Sequence, residues 1–148
     1  MNLSISIVGL GHVGSVSAAC FASMGHRVTG VDVNRAKGEM LENGRSPIVE
    51  ARMGDMVAAA SKSCRLRATT DPKAAVLASD VSFICVGTPS LGNGKLDLSH
   101  IERVGQDIGS ALKRKEAHHA VVLRSTVLPG TTESVLLPIL EREIGSVV

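Results

Sequence analysis

Ile5-Ser6-Ile7-Val8-Gly9-Leu10-Gly11-His12-Val13-Gly14 is the stretch whose reading decides the fold. An apolar run from Leu3 to Val8 predicts a buried strand. It breaks into Gly9-x-Gly11-x-x-Gly14, and a helix of small residues follows at once. Strand, spaced glycines and helix, in that order, are the context a dinucleotide-binding glycine motif requires. Gly9 permits the tight turn off the strand, and Gly11 lets backbone approach a pyrophosphate with no Cβ in the way. Gly14 lets the helix pack close to the strand, so that its N-terminal N–H groups point at phosphate oxygens. The glycines alone leave a second reading open, a turn that binds nothing.

Asp32 weighs against that second reading. A strand over Arg27–Val31 ends on this acid, about 20 residues beyond the glycines, where the motif places its ribose-binding carboxylate. Such a carboxylate accepts from both adenosine ribose hydroxyls and repels a 2′-phosphate, which favours NAD over NADP. Arg35 is the one counter-signal, since a nearby Arg can hold a 2′-phosphate. With Asp32 in place it reads as a solvated side chain opening the next helix.

Working outward, strands and helices alternate along the whole chain. Helix one spans about His12 to Met24, with Val13, Val16, Ala19, Cys20 and Phe21 available for its buried side and Gly25 as its cap. A second helix covers Arg35–Glu42, and a third Met53–Ser61 after a loop through Arg45–Glu50. A short strand is expected around Arg65–Ala68. Asp71-Pro72 supplies a capping acid and a first-position proline for a helix to Leu77. Val81–Val86 predicts a fourth strand, leading into Gly87-Thr88-Pro89 and a flexible turn at Gly92-Asn93-Gly94. Ser99-x-x-Glu102 resembles a capping box for a helix to about Arg114. Ala120–Leu123 is the fifth strand, and a last helix runs from about Thr131 to Glu143. This alternation, with the right-handed crossover rule, predicts an α/β fold of three layers, a Rossmann-like doubly wound parallel sheet. Val147-Val148 reads as the start of a sixth strand, so the sheet is expected to be truncated before its last strand.

Composition fits this architecture and excludes others. Of 148 residues 44% are hydrophobic, yet only Phe21 and Phe83 are aromatic, so the core is built from Val, Ile, Leu and Ala. A chain of this length buries roughly two thirds of its unfolded surface as one domain. A net charge of +2 with dispersed Lys and Arg argues against a nucleic-acid partner or an anionic membrane. No apolar run approaches the ~18 residues of a membrane span, and no signal-peptide pattern opens the chain. Cys20, Cys64 and Cys85 are widely spaced, and neither they nor His100 and His118-His119 have metal-ligand spacing. A reduced, cytoplasmic protein with no metal is the expectation.

Four segments together resemble the N-terminal domain of the UDP-glucose/GDP-mannose dehydrogenase family: Val8–Gly14, Gly30-Val31-Asp32, Phe83–Pro89 and Arg124–Thr131. Ser46-Pro47-Ile48-Val49-Glu50 is also typical of it. The resemblance covers essentially the whole chain, in order and at the right spacing. Arg124-Ser125-Thr126-Val127-Leu128-Pro129-Gly130 is more similar to the GDP-mannose 6-dehydrogenase branch, since UDP-glucose members more often carry lysine at the position of Arg124.

The resemblance implies an oxidoreductase that converts the C6 hydroxyl of a nucleotide sugar to a carboxylate with two NAD, for polysaccharide precursor synthesis. A cysteine forming a thiohemiacetal and a thioester carries that reaction. Gly9, Gly11, His12, Val13 and Gly14 would then hold the pyrophosphate. Asp32 would take the adenosine ribose with Lys37 beside it. Thr88 and Thr126 would sit at strand ends near the nicotinamide, Thr126 as an auxiliary to catalysis. Without the family, helix capping or turn formation explains Thr88 and Thr126 equally well. His12 stands where the family usually has tyrosine, and the imidazole either bonds a phosphate or faces solvent. Ala51-Arg52-Met53 replaces the usual Pro-Gly-Leu, which bears on the packing of that loop.

The family's nucleophilic cysteine lies in a Gly-Gly-Ser-Cys context that none of Cys20, Cys64 and Cys85 matches. Residues 1–148 therefore read as an incomplete NAD-binding domain, with no catalytic residue of its own, and without the central helix and the substrate-binding domain. The full-length protein would be a homodimer acting on a nucleotide sugar, GDP-mannose or UDP-glucose. Two other readings remain: a stand-alone NAD-binding or sensing module, and the cofactor domain of a hydroxyacid-type dehydrogenase.

Overall fold

The computed structural model describes residues 1–146, so the strand expected at Val147-Val148 lies outside the described residues. Among the described residues five strands form one parallel sheet: β1 (Ser4–Val8), β2 (Arg27–Val31), β3 (Leu66–Thr69), β4 (Val81–Ile84) and β5 (Ala120–Leu123). Their order is β3-β2-β1-β4-β5, so the chain leaves β1 toward one edge and returns across it toward the other. That reversal makes the carboxyl ends of β1 and β4 the switch point where open α/β sheets bind ligands.

Among the described residues six helices cover the sheet: α1 (His12–Ser23), α2 (Arg35–Glu42), α3 (Met53–Lys62), α4 (Pro72–Leu77), α5 (Ser99–Leu112) and α6 (Leu137–Ile144). In β1, Ile5 and Ile7 join the core that includes Ala18 and Ala19 of α1 and Val57 of α3. A second core forms from Val76 of α4, Ile84, Ile101 and Ile108 of α5, and Leu136 and Leu140. Gly105 and Gly109 let α5 approach the last helix, since a Cβ at Gly109 would sit 2.6 Å from Glu143 Cβ.

Four local features differ from the sequence reading. The buried side of α1 is Gly14, Ser15, Ser17, Ala18, Ala19 and Ala22, while Val13 is exposed and Val16, Cys20 and Phe21 are only partly covered. Small side chains face the sheet because the glycine loop holds this helix close to it. The strand β4 stops at Ile84, two residues early, as the chain turns to pass the glycine loop. The capping box is absent: Ser99 is the first residue of α5, and Asp97 Oδ1 accepts its N–H at 2.9 Å. The last helix begins as a π turn over Thr132–Leu136. Pro138 explains it, since it has no N–H for the carbonyl of Ser134 and its ring crowds that oxygen, so the turn widens.

The central strands also carry serines that an apolar reading passes over. Ser6 and Ser82 are register partners with Oγ atoms 2.6 Å apart, and Ser79 Oγ donates to Ser6 Oγ at 3.1 Å. Ser82 Oγ lies 2.8 Å from His119 Nε2, which satisfies these buried hydroxyls at the end of the sheet away from the glycine loop.

Candidate cofactor site

The glycine loop is built by contacts that leave no room for side chains. Gly9 has φ +101° and donates its N–H to Val31 O at 2.8 Å, which ties the loop to the end of β2. A Cβ there would meet Cys85 O at 2.7 Å. A Cβ on Gly14 would lie 1.8 Å from Gly9 O, so the close approach that Gly14 permits is helix against loop rather than helix against strand. Leu10 points inward, fully buried, against the place where a Cβ on Gly30 would stand. Gly11 is different: a Cβ there would meet nothing within 4 Å, so its surface is open.

The start of α1 is equally open. Gly11 caps it without a side chain, and its first turn holds no acid. The first amide bonded back to the cap is that of Ser15, to Gly11 O at 3.0 Å, so the amides ahead of it lack helical partners. Unpaired N–H groups at a helix N-terminus beside an unobstructed backbone suit an anion such as a pyrophosphate.

Asp32 follows β2 immediately and is positioned by three donors. Its Oδ2 accepts from Leu10 N–H at 2.8 Å and lies 3.7 Å from Lys37 Nζ, and its Oδ1 accepts from Asn34 N–H at 2.8 Å. The side chain is only 10% exposed. A carboxylate held this way keeps lone pairs for a diol while its orientation is fixed by the loop that would hold the phosphates. Arg35 is engaged elsewhere, with Nε 2.9 Å from Glu39 Oε1.

Gly9, Gly11, Asp32 and Lys37 meet in one cleft of about 340 Å³ at the carboxyl ends of β1 and β2. Its far wall comes from Thr70 and Pro72 ahead of β4, and from His100, Arg103 and Asp107 on α5. Those three α5 residues were missed in sequence. They recur at helical spacing on one polar face, the one signal that could have found them. Cys85 lies on the cleft floor, where burial raises its thiol pKa and Arg124 pulls the other way.

The side chains of the remaining sequence candidates do not line that cleft, although Gly11 and Gly87, next to His12 and Thr88 in the chain, do. His12 is exposed at the start of α1, its Nε2 3.1 Å from Glu50 Oε1, and Val13 beside it also faces out. Thr88 and Thr126 lie in the loops after β4 and β5, and Thr88 Oγ1 donates to Thr126 O at 2.6 Å. No group of three or more His, Cys, Asp or Glu among the described residues is placed to hold a metal. No described helix is long and apolar enough to cross a membrane.

The UDP-glucose/GDP-mannose dehydrogenase family, NAD binding domain, matches residues 3–147. The chain belongs to this family. It is 52% identical over 143 residues to the GDP-mannose 6-dehydrogenase of Azotobacter vinelandii, covering 97% of this chain and 33% of that protein. It is 38% identical over 143 residues to the UDP-glucose 6-dehydrogenase AglM of Haloferax volcanii, again with 97% and 33% coverage. The crystal structure of a ternary complex of GDP-mannose dehydrogenase from Pseudomonas aeruginosa superposes with a TM-score of 0.95 at 51% identity. That match covers 97% of this chain and 33% of the other. The chain thus spans about a third of the length of the relatives it matches. Its fold is the Rossmann-like NAD-binding domain of the family, and its cofactor is NAD.

Proposed function

We propose that this chain is the NAD-binding portion of a sugar-nucleotide 6-dehydrogenase that oxidises the C6 hydroxyl of GDP-mannose to a carboxylate with two NAD. The higher identity to GDP-mannose 6-dehydrogenases than to UDP-glucose enzymes supports the choice of sugar. The observation that carries the reading is the contact between Asp32 Oδ2 and Leu10 N–H. It couples a ribose-reading carboxylate to a loop whose open backbone suits a pyrophosphate.

In this reading Gly9, Gly11 and the amides of His12, Val13 and Gly14 hold the pyrophosphate. Asp32 accepts from both adenosine ribose hydroxyls, and Lys37 keeps that carboxylate in place. Pro72 and Val104 offer apolar walls for the adenine. Thr88 and Thr126 stand at the nicotinamide end, where their mutual bond orders the loops after β4 and β5. When bound, NAD supplies the hydride acceptor. Residues 1–148 contribute no catalytic nucleophile and bind NAD without turnover. The nucleotide-sugar site and the dimer contacts belong to the full-length protein.

Calorimetric titration of the chain with NAD and with NADP tests the cofactor half, with NAD binding and NADP failing as the expected result. Adding GDP-mannose, then UDP-glucose, to the full-length protein with NAD tests the substrate half. Absence of reduced cofactor with either sugar nucleotide would refute it.

A further inference from the structure

Glu50 reaches the open end of α1 through His12, its Oε1 3.1 Å from His12 Nε2. The first turn of α1 holds no carboxylate of its own, and Gly11 brings no capping side chain. Glu50 is not a loose side chain on a mobile loop. Met53 N–H donates to its carbonyl at 3.2 Å, and Ser46 Oγ closes a turn onto Ile48, whose side chain packs on the core. Arg52, two residues on, adopts φ +65° to bring the chain into α3. The segment 46–52 is therefore an anchored strap that delivers one carboxylate beside the phosphate cradle.

We propose that His12 and Glu50 form a charge gate on the pyrophosphate subsite. Resting on the NAD site proposed above, this inference assigns Glu50 as an internal anion that holds the His12 imidazole until the dinucleotide binds. The pyrophosphate then replaces Glu50 as the partner of His12, and the carboxylate turns to solvent. Both side chains are well exposed, 61% and 46%, so the pair contributes little to the fold and its exchange is inexpensive. Until it leaves, the carboxylate opposes the arriving phosphates by like-charge repulsion. Glu50 thus lowers affinity for ligands that carry a pyrophosphate and leaves those that lack one unaffected.

The test is calorimetry of NAD, ADP-ribose and adenosine binding to the parent chain, Glu50→Gln, His12→Gln and the double variant. Glu50→Gln is expected to tighten NAD and ADP-ribose by about three- to tenfold, the scale of one partly solvated charge near the phosphates. Adenosine affinity stays as in the parent. His12→Gln weakens NAD and ADP-ribose, and in the double variant the two effects do not add, because each residue acts through the other. Unchanged or weaker NAD binding by Glu50→Gln would overturn the gate while leaving the NAD site intact. An equal shift for adenosine would overturn it as well, by showing a general change of the cleft. A parent chain that binds neither NAD nor adenosine overturns both the gate and the site on which it rests.

Discussion

Replacing Asp32 by alanine removes two things at once, and their magnitudes can be worked separately. In the free protein the carboxylate accepts from Leu10 N–H and Asn34 N–H, each at 2.8 Å. The Asn34 amide is exposed and regains water. The Leu10 amide is partly buried next to a side chain with no exposure, so it loses a charge-assisted bond worth about 1.5–3 kcal/mol. Lys37 at 3.7 Å is 40% exposed and adds at most about 1 kcal/mol. Unfolding stability should therefore fall by about 2–3 kcal/mol, read as a lower urea midpoint at unchanged slope. NAD binding loses the ribose contacts as well, a further ~2–3 kcal/mol, or roughly 30- to 150-fold in Kd by calorimetry well below the melting temperature. Asp32→Asn keeps one acceptor oxygen and should lie between parent and alanine in both measurements. An alanine variant as stable as the parent would refute the structural role of the Leu10 contact. Unchanged NAD affinity would refute the ribose role.

Three further outcomes follow from the packing. Gly14→Ala places a methyl 1.8 Å from Gly9 O, so α1 must retreat by roughly 1.5 Å to reach an ordinary C···O contact of about 3.3 Å. It should cost about 2–3 kcal/mol in urea unfolding, whereas Gly11→Ala, with open space around it, should leave stability unchanged and weaken only NAD. Arg52→Gly should stabilise by about 0.5–1 kcal/mol in the same assay, because Arg52 holds φ +65°, where glycine is unstrained. His119 is driven toward its neutral form, first by burial and then by Lys115, with Asp80 and the Ser79 carbonyl opposing and His118 adding to the effect. Its folded pKa lies below its unfolded value, so the unfolded chain takes the proton first and stability falls as pH drops below about 6.5. The slope should be shallower than the ~1.4 kcal/mol per pH unit of a whole proton, because the ring is only half-buried. A pH series of urea midpoints for His119→Gln should lose that component, and an unaltered profile would refute it.

Elements whose cause lies within a few residues were legible from the chain. The turn at Gly9, the cap that Asp71 supplies to Lys73 and Ala74 N–H, and the bounds of β2, β5 and α2 are local matters of backbone freedom, side-chain reach and apolar period. The capping of α5 was misread because Ser99 and Asp97 both offer a local oxygen, and only the approach of the preceding loop decides which is used. The π turn was misread because an apolar period does not register where Pro138 interrupts the hydrogen-bond ladder. Buried serines on β1 and β4 escaped notice because each looks unsatisfied until the other strand is beside it.

Residue types and their spacing thus determined by themselves a parallel α/β sheet, a glycine loop feeding α1, and an acid at the tip of β2. What only tertiary structure decided is which distant groups share the cofactor cleft. The order β3-β2-β1-β4-β5 sets α5 across from Asp32, so that Arg103 and Asp107 face the glycines. The strap before α3 carries Glu50 to His12. Those meetings depend on how crossovers are laid against the sheet, and a side chain's partner across tens of residues is fixed by that packing rather than by its neighbours in the chain.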